Sequence, residues 1–156
     1  MAAQALQAGR MLSVIPSDNA QIPYPALSTS GTNTSTASSK LIASGATFQT
    51  NGIQIGDIVY NITDSTAAKV VSIDSQTQLT LNANIFTGSS KTYKIYSGTL
   101  NKGCVFYVGG AGNVKGENEA GDVVTFVGLL AGEFVPVHLT KIYSTDTTAT
   151  YIIALW

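Results

Sequence analysis

The 156-residue chain holds one cysteine, Cys104, and one histidine, His138. A lone cysteine excludes an intrachain disulfide. Inside the run Cys104-Val105-Phe106-Tyr107-Val108 it reads as a small buried hydrophobe. One His and one Cys so far apart do not make the three or four closely spaced ligands of a zinc centre. His138 lies in the strand-like run Phe134–Thr140, where it reads as a structural or surface residue, not as the base of a triad. There is no G-x-S-x-G elbow and no calcium-loop pattern. Gly109-Gly110-Ala111-Gly112 lacks the Gly-Lys-Ser/Thr ending of a phosphate loop. No metal or cofactor is expected. Charge is equally scarce: 8 Lys/Arg and 9 Asp/Glu make up 11% of the chain, with a formal net charge of −1. An average domain carries about 25% charged residues. This leaves no basic field for nucleic acid, and none of the bulk Glu, Lys, Arg and Leu of a coiled coil or helix bundle. Apolar runs stop at five to six residues, far short of the roughly 20 needed to span a bilayer. The start MAAQALQAGRML lacks the basic and apolar regions of a secretory signal. Synthesis in a cytoplasm, without membrane insertion, is the expectation. The sequons at Asn33-Thr34-Ser35 and Asn61-Ile62-Thr63 then read as coincidences of a hydroxyl-rich chain.

What the chain has in quantity is Ser and Thr, 34 residues, with 15 Gly. Low charge and near-zero net charge favour association, which points to a protein that works assembled. Residues 1–12 contain good helix formers and suggest one short helix. Pro16, Pro23 and Pro25 then favour an extended arm. Nine of the twelve residues 28–39 are Ser or Thr, the composition of a mobile linker or of an arm that orders on a partner. From Lys40 onward short β segments recur. They include Phe48–Ile58 with the hairpin signal Asn51-Gly52, Ile58–Ile62, Lys69–Ile73, Leu79–Leu81 and the alternating Thr92–Tyr96. After Ser97-Gly98 a second set runs Gly103–Val108, Gly121–Val127, Phe134–Tyr143 and Thr150–Trp156. The apolar ending Ile152-Ile153-Ala154-Leu155-Trp156 is expected to dock as a strand into a core or a subunit interface. The fold expected is all-β: two small barrel or sandwich modules, at 40–98 and 99–156, behind an N-terminal arm and linker at 1–39.

Two rival chemistries have candidate residues. Glu117, Glu119 and Asp122 lie close in sequence and would be the acid and base of a polysaccharide-degrading enzyme. A solvated acidic turn is the simpler reading. Tyr60, Tyr93 and Tyr96 would form the stacking surface of a receptor- or glycan-binding module.

The C-terminal segments carry a resemblance. Gly103-Cys104-Val105-Phe106-Tyr107-Val108-Gly109-Gly110, Val123-Val124-Thr125-Phe126-Val127-Gly128, Gly132-Glu133-Phe134-Val135-Pro136-Val137 and the ending Thr147-Thr148-Ala149-Thr150 to Ala154-Leu155-Trp156 follow one order. In that order they resemble the head spike base proteins of tailed phages and gene transfer agents. Ser17-Asp18 before Ile22-Pro23 resembles the start of those proteins. The stretch from Gly45-Ala46-Thr47-Phe48 through Gly56–Asn61 and Thr77–Leu81 to Ile85-Phe86 resembles a small β module common in phage structural proteins, here as an insertion. The resemblance implies a virion structural protein without enzymatic activity, a capsid decoration (cement) or head spike base subunit. It implies a location on the capsid surface, the major capsid protein as partner, and a homo-oligomer, a trimer before a pentamer. A spike or fibre protein is a further partner; nucleic acid and membrane are not. The assembly residues expected are Ile22, Pro23 and Tyr24 in the arm, and Ile152, Ile153, Leu155 and Trp156 at the C-terminus.

Overall fold

The structure is a computed structural model that describes residues 8–156. The described residues form thirteen strands and no helix, so the chain is all-β as its composition implies. In chain order they are β1 (Met11–Ser13), β2 (Leu27–Thr32), β3 (Lys40–Ile42), β4 (Ile58–Asn61), β5 (Thr66–Ser75), β6 (Gln78–Leu81) and β7 (Thr92–Tyr96). Then follow β8 (Cys104–Gly110), β9 (Gly112–Glu117), β10 (Val123–Leu129), β11 (Glu133–Leu139), β12 (Lys141–Ile142) and β13 (Thr150–Leu155). The helix expected over 1–12 falls largely outside the described residues. Where it reaches them, Met11 and Leu12 are strand, paired antiparallel with Leu155 and Ala154.

The C-terminal module is built from three long strands folded over at their middles. β8 and β9 continue one another, β10 and β11 run antiparallel beside them, and β12 and β13 lie on the other side. The fold divides the three into a four-stranded sheet, β1-β13-β8-β11, and a three-stranded sheet, β10-β9-β12. Glycine makes the corner possible. At Gly112, with φ of 156°, a side chain would collide with the backbone of Ala149, in the segment that leads into β13. Alternate residues Cys104, Phe106 and Val108 of β8 and Ile152 and Ala154 of β13 face inward, against Val114, Val135, Leu139 and Ile142. Burying each large member is worth about 1.5–3 kcal/mol.

The arm does not reach away from the body. Val14 and Ile22 join this core. Ser17 N–H donates to the Ile142 carbonyl at 2.9 Å, and Ile22 N–H to the Thr140 carbonyl at 2.9 Å. The segment that Pro16, Pro23 and Pro25 keep from forming a helix is thus tied down on the body of the protein.

The inserted module begins at Leu27, well before Lys40. Residues 27–96 form one six-stranded sheet, β2-β7-β4-β5-β6-β3, curled into a half-barrel. The Ser/Thr-rich stretch expected as a linker supplies edge strand β2, registered on β7 from Thr29↔Ile95 to Thr32↔Thr92. Buried Asn33 follows, its amide donating to the carbonyls of Ser35 and Gly88 while its Oδ1 accepts from Lys91 N–H at 2.7 Å. The Asn51-Gly52 signal does not join two strands. The chain coils there, Asn51 N–H donating to Thr47 O and Ile53 N–H to Phe48 O, which seats Phe48 and Ile53 in the core with Leu41, Val59, Val70 and Ile95.

The two modules share a third, smaller core. Ile58, Tyr60, Ala67 and Tyr96 from the back of the inserted sheet pack on Leu12, Ile15 and Ala20 of the arm. Ser17 Oγ donates to Ala67 O at 2.9 Å across the junction, and Asn82 donates to Asn19 O at 2.7 Å. The arm is therefore a clamp between the modules.

Candidate functional site

The seven residues expected to make an assembly interface divide by the geometry of the strands. Ile22 and Ile152 point into the core of the C-terminal module, and Pro23 is buried. Tyr24 meets Trp156 edge to face, ring centroids 5.6 Å apart, beneath the Arg10 guanidinium at 5.4 Å from the Tyr24 ring. The Trp156 indole N–H donates to Asn101 Oδ1 at 3.1 Å. These contacts lie within the single chain. Ile153 and Leu155 alternate with the inward residues and lie, half-buried, on the outer face of the four-stranded sheet.

That outer face is apolar across all four strands. One row runs Ser13, Ile153, Tyr107, Phe134, and the next runs Met11, Leu155, Val105, as the strand registers dictate. Tyr151 stands beside them at 81% exposure with a left-handed φ of 53°. An aromatic residue in that conformation costs about 1–2 kcal/mol, and strain of this kind concentrates where function is. At the edge of the face lies an apolar cavity of about 260 Å³ lined by Val105, Leu155, Trp156, Cys104 and His138.

A second feature was not anticipated. The hairpin arm from β10 into β11 exposes Val123, Val124, Val127, Leu130, Phe134 and Val137, six of the thirteen exposed large hydrophobics. Val127 is 77% and Leu130 70% exposed. β10 and β11 are the edge strands of their two sheets, so a row of backbone N–H and C=O groups accompanies the side chains, interrupted on β11 by Pro136. Residues 123–132 contain no charge. Natural edge strands are normally blunted by Lys, Pro or a covering loop because an open apolar edge templates pairing with another chain. The sequence signal was present: Val123-Val124-Thr125-Phe126-Val127 is apolar without period two, so one face of the strand cannot hide all of it.

The catalytic candidates are held in other ways. Cys104 and His138 line the same cavity, but the thiol donates to Leu139 O at 3.3 Å, and burial pushes it up to about 12. Activated thiols are shifted the opposite way. Glu117 accepts a hydrogen bond from the Tyr143 hydroxyl, Glu119 lies 3.9 Å from Lys102, and Asp122 accepts from Asn118 at 3.0 Å. No group of three metal-ligating side chains occurs among the described residues. The described residues contain no helix long and apolar enough to cross a membrane.

The three tyrosines do not form a stacking surface. Tyr60 and Tyr96 are buried against each other at the module junction, centroids 5.6 Å apart, and Ile15 N–H donates to the Tyr60 hydroxyl. The Tyr93 ring is buried against Phe48 in the inserted module. Alternation along β4 and β7 turned these rings inward, where the composition had left them free to face solvent. No protein-family model, curated protein or solved structure matches the chain.

Proposed function

We propose that this chain is a virion structural protein, a capsid decoration (cement) or head spike base subunit. Copies associate through the C-terminal module into a homo-oligomer, a trimer in preference to a pentamer, seated on the major capsid protein. The observation that carries this reading is the exposed edge strand β10, without charge from residue 123 to 132, together with the apolar outer face of the four-stranded sheet. Monomeric proteins rarely leave contiguous apolar patches beyond a few hundred Å², and such an edge is stable in solution only when covered. The resemblance of the order of segments to that of head spike base proteins supports the same reading. The inserted half-barrel then projects from the assembled base, held in fixed orientation by the arm and the Tyr60–Tyr96 junction.

Quantitative mass spectrometry of purified particles tests the proposal. Hundreds of copies per particle support decoration, and a few tens support a vertex or spike base. Absence of the chain from purified particles contradicts both.

A further inference from the structure

The inserted half-barrel has a seam. Its two edge regions meet at one point, where Thr34 N–H donates to Ile42 O at 2.8 Å and Ser35 bridges to Ile42. Away from that point they part. Between β2 and the segment 43–47 lies a groove of about 250 Å³. Its walls are Thr29, Ser30, Thr32 and Thr47, with Asn51 at one end, and no charged side chain lines it. Asn51 is partly engaged, its amide donating to Thr29 Oγ1 at 3.2 Å.

Tyr93 lies under this groove. The residue is 2% exposed, its ring packed on Phe48. Its hydroxyl reaches Gly31 of β2, where a Cβ would lie 2.7 Å from it. Glycine at 31 therefore leaves room for that hydroxyl. No residue among those described hydrogen-bonds to Tyr93 Oη, while the one fully enclosed, unpartnered side-chain polar atom among them is Thr66 Oγ1. The Tyr93 hydroxyl consequently opens on the groove. Facing the groove, that hydroxyl can donate to or accept from a molecule bound there, and a molecule that displaces its water without replacing the hydrogen bond loses affinity.

We propose that this seam groove binds a neutral sugar, the Tyr93 hydroxyl hydrogen-bonding one of its oxygens from below. The absence of charged lining disfavours phosphates and acidic sugars, and the hydroxyl-rich walls disfavour an apolar ligand. The volume lies just under the roughly 300–1,000 Å³ of sites for drug-sized ligands, room for one pyranose ring. An extended peptide would pair along the free edge of β2 and make no use of a donor at the floor. The proposal is independent of the assembly reading, because the groove belongs to the inserted module alone.

The test is ¹⁵N-TROSY NMR and calorimetry on the full chain. The probes are glucose, galactose, N-acetylglucosamine and their β-linked trisaccharides, with glucuronic acid and a Val-Thr-Val-Thr peptide as contrasts. At least one neutral sugar is expected to shift the amides of Thr29–Thr32 and Ala43–Thr47. Tyr93→Phe gives up no internal hydrogen bond, so it should fold normally and bind about three- to tenfold more weakly, the loss of one neutral hydrogen bond. Nothing lies within 4 Å of a Cβ placed at Gly45, so Gly45→Tyr should fold, fill the groove and abolish binding. The proposal is overturned if no neutral sugar shifts those amides. It is equally overturned if only the acid or the peptide shifts them, or if Tyr93→Phe leaves the Kd unchanged.

Discussion

Tyr24 and Trp156 come from opposite ends of the chain and meet edge to face, 5.6 Å between ring centroids. Arg10 lies over the tyrosine and donates to Pro25 O at 3.1 Å, and Asn101 holds the indole N–H. Asn101 also donates to Ile22 O at 2.7 Å. The arm, the return from the inserted module and the C-terminus are thereby pinned at one place. A double-mutant cycle on Tyr24→Ala and Trp156→Ala should give a coupling of about 0.5–1.5 kcal/mol, read from urea denaturation. Deleting residues 152–156 is a different experiment. β13 is hydrogen-bonded on both sides, to β1 and to β8, so the truncated chain should lose its folded C-terminal module and not merely its partners, as seen by circular dichroism.

The Ser/Thr-rich segment supplies a second expectation. Because 28–32 is paired strand and Asn33 is buried with three hydrogen bonds to its side chain, the free protein should resist cleavage there. Limited proteolysis with a broad-specificity protease followed by mass spectrometry checks this. Rapid cutting between 28 and 35 would contradict the described pairing.

Acid should destabilise the fold, and the sign follows from three aspartates. Hydrogen bonds from Thr145 hold Asp18 below its ordinary value. Lys91 and then Asn61 do the same for Asp64, and Gln78, Lys40 and Ser72 for Asp74. A carboxyl whose folded pKa is depressed contributes stability that is complete above its unfolded value, near 3.9, and lost as pH falls through the folded value. The melting temperature should therefore be level with respect to these groups from pH 5 to 7 and fall below about pH 4. Asp74→Asn should lower it at neutral pH and flatten the acid limb.

Cys104 should be inert in the folded protein. With the thiol pushed up to about 12 by burial, thiolate is negligible at pH 8. A disulfide-exchange reagent such as Ellman's should label it only after denaturant is added. Fast labelling of the native protein would place the side chain at the surface.

Much of the strand pattern was legible because half-buried strands alternate. Thr92–Tyr96 reads polar-apolar-polar-apolar and is β7 over those same residues. Cys104–Val108 and Thr150–Leu155 are apolar enough to read as interior strands, and both are central in the four-stranded sheet. β2 was hidden because an edge strand, with one side free, can be built of Ser, Thr and Gly, the composition of a linker. β9 was hidden because Gly112 and Gly116 interrupt its apolar pattern, whereas Gly112 is required by the backbone passing over it. The arm's docking was illegible because its partners, Ile142, Ala67 and Thr140, lie far away in sequence. The β10–β11 edge was visible as sequence but not as a site. Only the topology reveals that Val123–Leu129 has a neighbour on one side alone.

The central claim is that this edge assembles copies of the chain. Val124 and Val127 are exposed and make no core contact, so Val124→Lys with Val127→Lys should change protomer stability by no more than about 0.5 kcal/mol per site. Each adds charge to the stretch 123–132, which has none. Solution mass measured by sedimentation and light scattering tests the claim most directly. The wild-type chain is expected to be a defined multi-subunit particle, and the double-lysine variant a folded monomer with a near-native melting temperature. A wild-type chain that stays monomeric at all concentrations, or a variant that keeps the wild-type mass, would contradict the account.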